Sequence, residues 1–428
     1  TFQVSCSYGP GRYDQNYEEL GVDYPIAFVR WTEQRNFETV LQLFKDKALK
    51  IDNMISKKFQ FDDAVKAYEV IQKKNDLLGL IFVYTSKNAN NKNKSPQTLQ
   101  TKINDKSLPI NTDKSINLSF IGAGQYATSF LIPLFQKSGA ILNSVSSESG
   151  LSAAYAMKKF KFSEASSNNK DTISNKNVDA VVISTRHDSH ASLIIDSINY
   201  RKHVFVEKPL CINKSELQQI IECISSSKSK KSENIIMVGF NRRFSPHIKK
   251  IQSLLENIST PKSFVMNVNA GSLDSSHWLN DANRGGGRLI GEACHFIDLL
   301  RFLCGFSISH SSVISSSDFN DSQIITLKFS DGSIGVINYF VNGHKSLSKE
   351  RLEIFVDNKV LILDNYKKLT GIGWKNFKNF KTWSQDKGQK NCISSFIEAI
   401  KSANSSPIPF DELVEVTETC IELSKQIS

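Results

Sequence analysis

Apolar and polar positions along this chain fall into two textures separated by a polar stretch. From Phe37 to Leu49 and again from Phe61 to Lys74 the apolar residues recur at helical spacing, with Ala64, Val65, Tyr68 and Ile71 on one face of the second run. Leu77 to Tyr84 follows as a strand-like run. Residues 86–115 (SKNANNKNKSPQTLQTKINDKSLPINTDKS) carry almost no aromatic or clustered aliphatic side chains. Such a composition buries too little surface to offset the entropy of ordering, and it predicts a linker. Beyond it, short β-rich runs alternate with helical ones, the pattern of a parallel sheet with crossover helices. The predicted strands are Ile116–Ile121, Ala140–Val145, Ala180–Ser184, His203–Val206 and Ile235–Val238.

From about Asn241 the texture changes. Helical runs near Pro246–Asn257 and Arg288–Leu303 precede strand-like runs Gln323–Phe329, Ile334–Val341, Arg351–Val356 and Lys359–Leu363. The turn signals Ser330-Asp331-Gly332-Ser333 and Asp357-Asn358 point to a largely antiparallel sheet in this second, α+β domain.

Composition narrows the classes. The 428 residues are 40% hydrophobic and 22% charged, as in ordinary folded soluble proteins. No apolar stretch approaches the roughly 20 residues of a membrane-spanning helix, so no membrane association is expected. The chain starts at Thr1 with no basic-then-apolar leader, and a fragment is expected. The net charge of +10 admits an anionic partner. The excess is spread over loops such as Lys228-Ser229-Lys230-Lys231 without interleaved aromatic residues, so nucleic-acid binding is not expected. Seven scattered cysteines with no C-x-x-C pair argue against a disulfide framework and against a thiolate metal site, and a reducing cytoplasm fits best.

Three motifs carry chemistry. The strand INLSFIG runs into Gly122-Ala123-Gly124-Gln125-Tyr126-Ala127 and then a helical run, a G-x-G-x-x-A turn whose glycines let a pyrophosphate approach the backbone at a helix N-terminus. A ribose-binding acid should follow the second strand, which ends in Ser146-Ser147-Glu148. Glu148 would accept from a ribose 2′-hydroxyl and favour NAD, whereas the serines would admit the 2′-phosphate of NADP. The second motif, Glu207-Lys208-Pro209, closes the fourth strand, placing a lysine at the carboxyl edge of the sheet where it can hold a hydroxyl and help move its proton. The third is Gly285-Gly286-Gly287-Arg288-Leu289-Ile290-Gly291-Glu292-Ala293-Cys294-His295-Phe296-Ile297-Asp298. Here Glu292, His295 and Asp298 recur at i, i+3 and i+6 and are expected on one helical face as an acid–histidine–acid set.

These motifs, with Val181-Val182-Ile183-Ser184-Thr185, His190 beyond it and KHVFVEKP at 202–209, resemble the glucose–fructose oxidoreductase/inositol dehydrogenase (Gfo/Idh/MocA) family over about residues 116–428. The resemblance implies an α/β Rossmann domain (116–240), then an α+β domain (241–428) whose large, mostly antiparallel open sheet forms the substrate cleft and a homo-oligomer interface. It implies hydride transfer between NAD or NADP and a sugar, nucleotide-sugar or cyclitol. Lys208 and His295 would be catalytic, and Gly122, Gly124, Gln125, Tyr126, Ala127, Ser146, Glu148, Thr185, His190, Glu207 and Lys208 would line the cofactor. Arg242, Arg243, Trp278 and Asp298 would face the substrate, and no metal is implied. The family carries an aspartate four residues before its histidine, where this chain has Gly291, with Glu292 beside it. Either Glu292 takes over the orienting role from the neighbouring position, or Lys208 and His295 work without it, or oxidation is weak; the alternative function is a nucleotide-binding scaffold or regulatory protein with impaired catalysis. Residues 1–85 resemble the C-terminal tail of a zinc-type medium-chain alcohol dehydrogenase, as in two-domain bacterial oxidoreductases.

Overall fold

A computed structural model of the chain describes residues 8–18, 20–73, 77–84, 100–102, 115–148, 150–227, 234–274, 277–316 and 321–427. The chain divides into two compact units, Thr1–Pro96 and Gln97–Ser428. In the first, helices α1 (Gln15–Glu18) and α2 (Glu33–Lys45) precede strand β1 (Ile55–Gln60), helix α3 (Ala64–Lys73) and strand β2 (Gly79–Val83). β1 and β2 pair in parallel. β1 reads as polar because Ser56, Lys57 and Lys58 are exposed, so periodicity passes over it.

The second unit begins with a seven-stranded sheet. Its strands are β3 (Gln100–Lys102), β4 (Asn117–Ile121), β5 (Ile141–Ser146), β6 (Glu164–Ser166), β7 (Ala180–Ile183), β8 (His203–Val206) and β9 (Ile236–Val238), ordered β3-β6-β5-β4-β7-β8-β9. All pairs are parallel except β3 on β6. β7 and β9 are buried at every position, because helices cover both faces of such a sheet. The crossover helices are α4 (Ile132–Lys137), α5 (Leu151–Phe160), α6 (Asn169–Ser174), α7 (His190–Asn199) and α8 (Lys214–Ser227). β3 corrects the expected linker in part: three polar residues join the free edge of β6 through backbone pairing alone, which needs no apolar signal. The linker's other residues, apart from Ser115, lie outside the described ones.

Helix α9 (Pro246–Leu255) leads into the second sheet: β10 (Ser263–Asn269), then helix α10 (Cys294–Cys304), β11 (Ile308–Ser315), β12 (Gln323–Phe329), β13 (Ile334–Phe340), β14 (Glu350–Val356), β15 (Lys359–Asp364), β16 (Lys368–Ile372) and β17 (Asn379–Lys381). The order is β11-β12-β13-β10-β14-β15-β16-β17, and only β10 and β13 pair in parallel. Asp357 and Asn358 both adopt positive φ, the signature of a tight primed hairpin turn between β14 and β15. Helices α11 (Gln389–Lys401) and α12 (Phe410–Ser424) follow. One face of this sheet is buried, through Phe264, Met266, Ile325, Leu327, Ile337, Leu352 and Ile354, in a core continuous with that of the parallel sheet. Among the described residues no helix is long and apolar enough to cross a membrane, and no group of three or more metal-ligating side chains occurs.

Candidate active site

The end of β4 makes the tightest backbone approach at the sheet's carboxyl edge. Gly122 has φ +93°, and a Cβ there would stand 2.6 Å from the Ser184 carbonyl oxygen, so only glycine lets the turn lie against the end of β7. Ser184 Oγ donates to the Gly122 carbonyl at 2.9 Å. A Cβ on Gly124 would meet nothing within 4 Å, so the loop faces open space where the next helix begins. Its first N–H groups lack intrahelical acceptors and the helix dipole favours an anion, so this cradle fits the pyrophosphate of a dinucleotide. Ala127 is buried beneath the turn, while Gln125 and Tyr126 are exposed beside it.

Beyond β5, Ser146 Oγ donates to Asn169 Oδ1 at 2.8 Å and Ser147 Oγ accepts from the Ala153 N–H at 3.0 Å. Glu148 alone of the three remains exposed. Thr185 Oγ1 accepts from Ser189 Oγ at 2.7 Å. His190 departs from expectation: it does not line the crevice but is wholly buried, with Nδ1 2.7 Å from the Pro209 carbonyl and Nε2 3.4 Å from that of Thr185. It braces the Lys208-Pro209 turn against the end of β7.

Lys208 reaches across 83 residues of sequence to donate from Nζ to the Gly291 carbonyl. Around it the glycine-rich segment enters α10 through a widened π-helical turn, Leu289–Ala293. Glu292 accepts from the Tyr339 hydroxyl and, at 3.2 Å, from Arg288 Nη2. Burial pushes its carboxyl up, but the Tyr339 hydroxyl, Lys208 and Arg288 outweigh it and keep it below its ordinary value. His295 is buried with its ring edge-on to Phe240, and its Nδ1 has no partner among the described residues. Burial, with the charges of Arg242 and Lys208, holds its imidazole well below its ordinary value, so the ring is neutral. Behind Lys208, burial raises the Glu207 carboxyl to about 7.

The acid–histidine–acid face does not form. The π turn rotates Glu292 toward Tyr339, and Asp298 turns instead to Arg243, which donates to both its oxygens from Nε at 2.9 and 2.8 Å and from Nη2 at 2.6 Å. Arg243 and Asp298 are therefore an internal ion pair rather than a substrate-facing surface, with Glu412 also on Arg243. Arg242 is likewise consumed, donating to the Glu350 carboxylate at 2.9 and 2.8 Å, where Lys387 joins at 2.6 Å. Trp278 stands half-buried, edge-on to His187 at 4.8 Å. His187 was missed by motif reading. Its Nδ1 lies 2.7 Å from the Gly285 carbonyl, and burial, His190 and Lys208 push its imidazole down to about 3. Its only sequence signal is a histidine three residues before the expected one.

Residues 116–240 match the model of an oxidoreductase family with an NAD-binding Rossmann fold, and residues 250–362 match that of the GFO/IDH/MocA C-terminal domain, together more than half the chain. Among characterised relatives, myo-inositol 2-dehydrogenase of Thermotoga maritima is 27% identical over 267 residues, covering 60% of this chain and 77% of its own. Inositol 2-dehydrogenase of Rhizobium meliloti is 26% identical over 256 residues, covering 55% and 74%. Among solved structures, a levoglucosan dehydrogenase in complex with NADH and levoglucosan superposes with a TM-score of 0.64 at 18% identity, covering 73% of this chain and 98% of that one.

Proposed function

Because the chain belongs to the Gfo/Idh/MocA family of NAD-binding oxidoreductases, we propose that it moves hydride between NAD(P) and a hydroxyl-bearing carbon of a sugar, nucleotide-sugar or cyclitol. The observation that carries this reading is the contact of Lys208 with the Gly291 carbonyl, which brings a cation from the carboxyl edge of one sheet against the helix that bears a neutral, buried His295. Gly122, Gly124, Gln125, Tyr126 and Ala127 would hold the pyrophosphate, Glu148 the ribose, and Thr185 and Glu207 the nicotinamide end. Bound nicotinamide supplies the hydride acceptor. The chain's own residues handle the proton. Lys208 donates to the reacting hydroxyl oxygen and lowers the cost of its negative charge, and His295 takes the hydroxyl proton as the C–H bond weakens. An alkoxide formed alone is costly at neutral pH, which favours near-concerted loss of both.

Fluorescence titration with NADH and NADPH, followed by turnover on myo-inositol, levoglucosan and a set of hexoses, tests the reading. Lys208→Met is expected to abolish turnover while nucleotide binding stays nearly intact; turnover equal to the unmodified protein's would overturn the assignment. The second reading, a scaffold that binds nucleotide without catalysis, draws on Gly291. Saturable NADH binding with no turnover of any of these sugars favours it.

The outward face of the second sheet carries exposed Ile324, Ile334, Phe340, Phe355 and Ile372, which supports a homo-oligomer formed through that sheet. For residues 1–85 the proposal of an alcohol-dehydrogenase C-terminal tail is supported by the parallel pairing of β1 and β2 around α3.

A further inference from the structure

His187 and His190 lie 5.5 Å apart, ring to ring, yet their polar atoms are treated differently. His190, wholly buried, has a backbone carbonyl near each nitrogen; its neutral ring donates to one of them, and the 2.7 Å contact of Nδ1 with the Pro209 carbonyl is the short one. His187 has one on Nδ1 only; its Nε2 makes no hydrogen bond to another described residue, and it is not one of the buried side-chain atoms sealed off without a partner. A carbonyl can only accept, so the 2.7 Å contact with Gly285 places the proton on Nδ1. In a neutral ring Nε2 is then a lone-pair acceptor with no donor among the described residues.

Its position says what would meet it. Gly291 has no side chain, and a Cβ there would stand 3.0 Å from His187 Cε1, the carbon bonded to Nε2. The same Gly291 offers its carbonyl to Lys208 Nζ. The imidazole edge thus borders the side-chain space of residue 291, which Leu279 Cδ1 fills, next to the group proposed to hold the reacting hydroxyl. Trp278, edge-on to His187 and only half-buried, adds an apolar ring of the kind on which sugar C–H groups rest.

We propose that His187 contacts substrate: its Nε2 accepts a hydrogen bond from a hydroxyl neighbouring the reacting one, and Trp278 forms the wall beside it. The substrate is therefore a vicinal polyol, with at least two adjacent hydroxyls, and its stereochemistry at the second carbon is read by His187. This assignment rests on the oxidoreductase reading above.

The test pairs His187→Asn with His187→Gln. Asparagine can keep the donor to Gly285 and removes the Nε2 acceptor; glutamine restores an oxygen near the Nε2 position. With the sugar or cyclitol that the protein turns over best, His187→Asn is expected to lower kcat/KM by roughly tenfold or more, to flatten the preference over the epimer or deoxy analogue at the neighbouring carbon, and to leave NADH affinity unchanged, while His187→Gln recovers part of the loss. An unaltered preference in His187→Asn overturns the assignment. A second readout needs no turnover: in the NADH-loaded protein the imidazole nitrogen spectrum is expected to show the Nδ1-protonated tautomer, with the Nε2 resonance moving when the sugar is added. An Nε2 resonance unmoved by every sugar tested also overturns it. Loss of turnover in Lys208→Met alongside an unaltered preference in His187→Asn sinks His187 alone, whereas undiminished turnover in Lys208→Met sinks the parent reading.

Discussion

Arg243 and Asp298, 55 residues apart in sequence, form an ion pair that water does not reach: the side chains are 3% and 0% exposed, and one guanidinium takes both carboxylate oxygens. It ties the turn after β9 to helix α10, which carries His295. Removing one partner leaves the other charge buried, the costly case for such pairs. Asp298→Ala is expected to destabilise the protein by about 3–5 kcal/mol. Arg243→Met combined with Asp298→Leu should cost less than either single change. Urea unfolding checks both, and a double variant no more stable than the single ones would refute the argument.

Glu350 gives the fold an acid-labile joint. Burial pushes its carboxyl up, but Arg242, held on Nε and Nη2, and Lys387 outweigh this and bring it from 4.5 down to about 2. Arg242, with two hydrogen bonds to the carboxylate against one from Lys387, is the principal partner. A carboxyl depressed on folding contributes stability that is complete above the unfolded value and is lost as pH falls toward the folded one. Unfolding free energy should therefore drop between about pH 4.5 and pH 2 by on the order of 3 kcal/mol from this group. In Glu350→Gln that part of the slope should vanish, which unfolding curves at closely spaced acid pH would reveal.

Glu207 acts in the opposite sense. It sits against Gly239, where a Cβ would come 2.8 Å from Oε1, and burial raises its carboxyl from 4.5 to about 7 against the pull of Lys208. A carboxyl raised on folding contributes stability below its unfolded value that is lost as pH rises through the folded one. Glu207→Gln removes the ionisation cost, so it should raise stability at pH 8 by roughly 1–2 kcal/mol, allowing for partial exposure, and change it little at pH 4.5. Equal shifts at both pH values would show that ionisation is not the cause.

What was readable in the sequence follows from what each signal depends on. Strands buried on both faces, such as Val181–Ile183 and Val204–Val206, are continuous apolar runs and stand out. β3 is three polar residues held by backbone pairing, and β6 and β17 are only three residues long, so pattern alone does not find them. β10 does alternate, with Phe264, Met266 and Val268 buried, but the apolar Val265 at an outward position blurs the contrast. At the site, the glycine turn and the Glu207-Lys208-Pro209 edge are local motifs and were legible. Helical spacing placed Glu292, His295 and Asp298 on one face because it assumes 3.6 residues per turn, which the π turn at Leu289–Ala293 breaks. The ion pairs that consume Arg242 and Arg243 span 108 and 55 residues, beyond any spacing rule.

Gly291 is where departure from the family pattern meets packing. A Cβ at this position would collide with Leu279 Cδ1 and lie 3.0 Å from His187 Cε1. The backbone is not in the left-handed region, so the obstacle is space rather than conformation. Gly291→Ala therefore forces the flexible end of Leu279 aside and presses on an imidazole whose Nδ1 is tied to Gly285. Overpacking of this kind costs about 1–3 kcal/mol. Gly291→Asp, which restores the family residue, should cost at least as much and lower kcat/KM by displacing His187 and the carbonyl that positions Lys208. Adding Leu279→Ala opens the space and should recover stability and activity in Gly291→Asp beyond the sum of the separate effects, because the two side chains compete for one volume. A double-mutant cycle in unfolding free energy measures that coupling. Strict additivity would mean that Leu279 is not what excludes a side chain at residue 291, and that His187 alone holds the position.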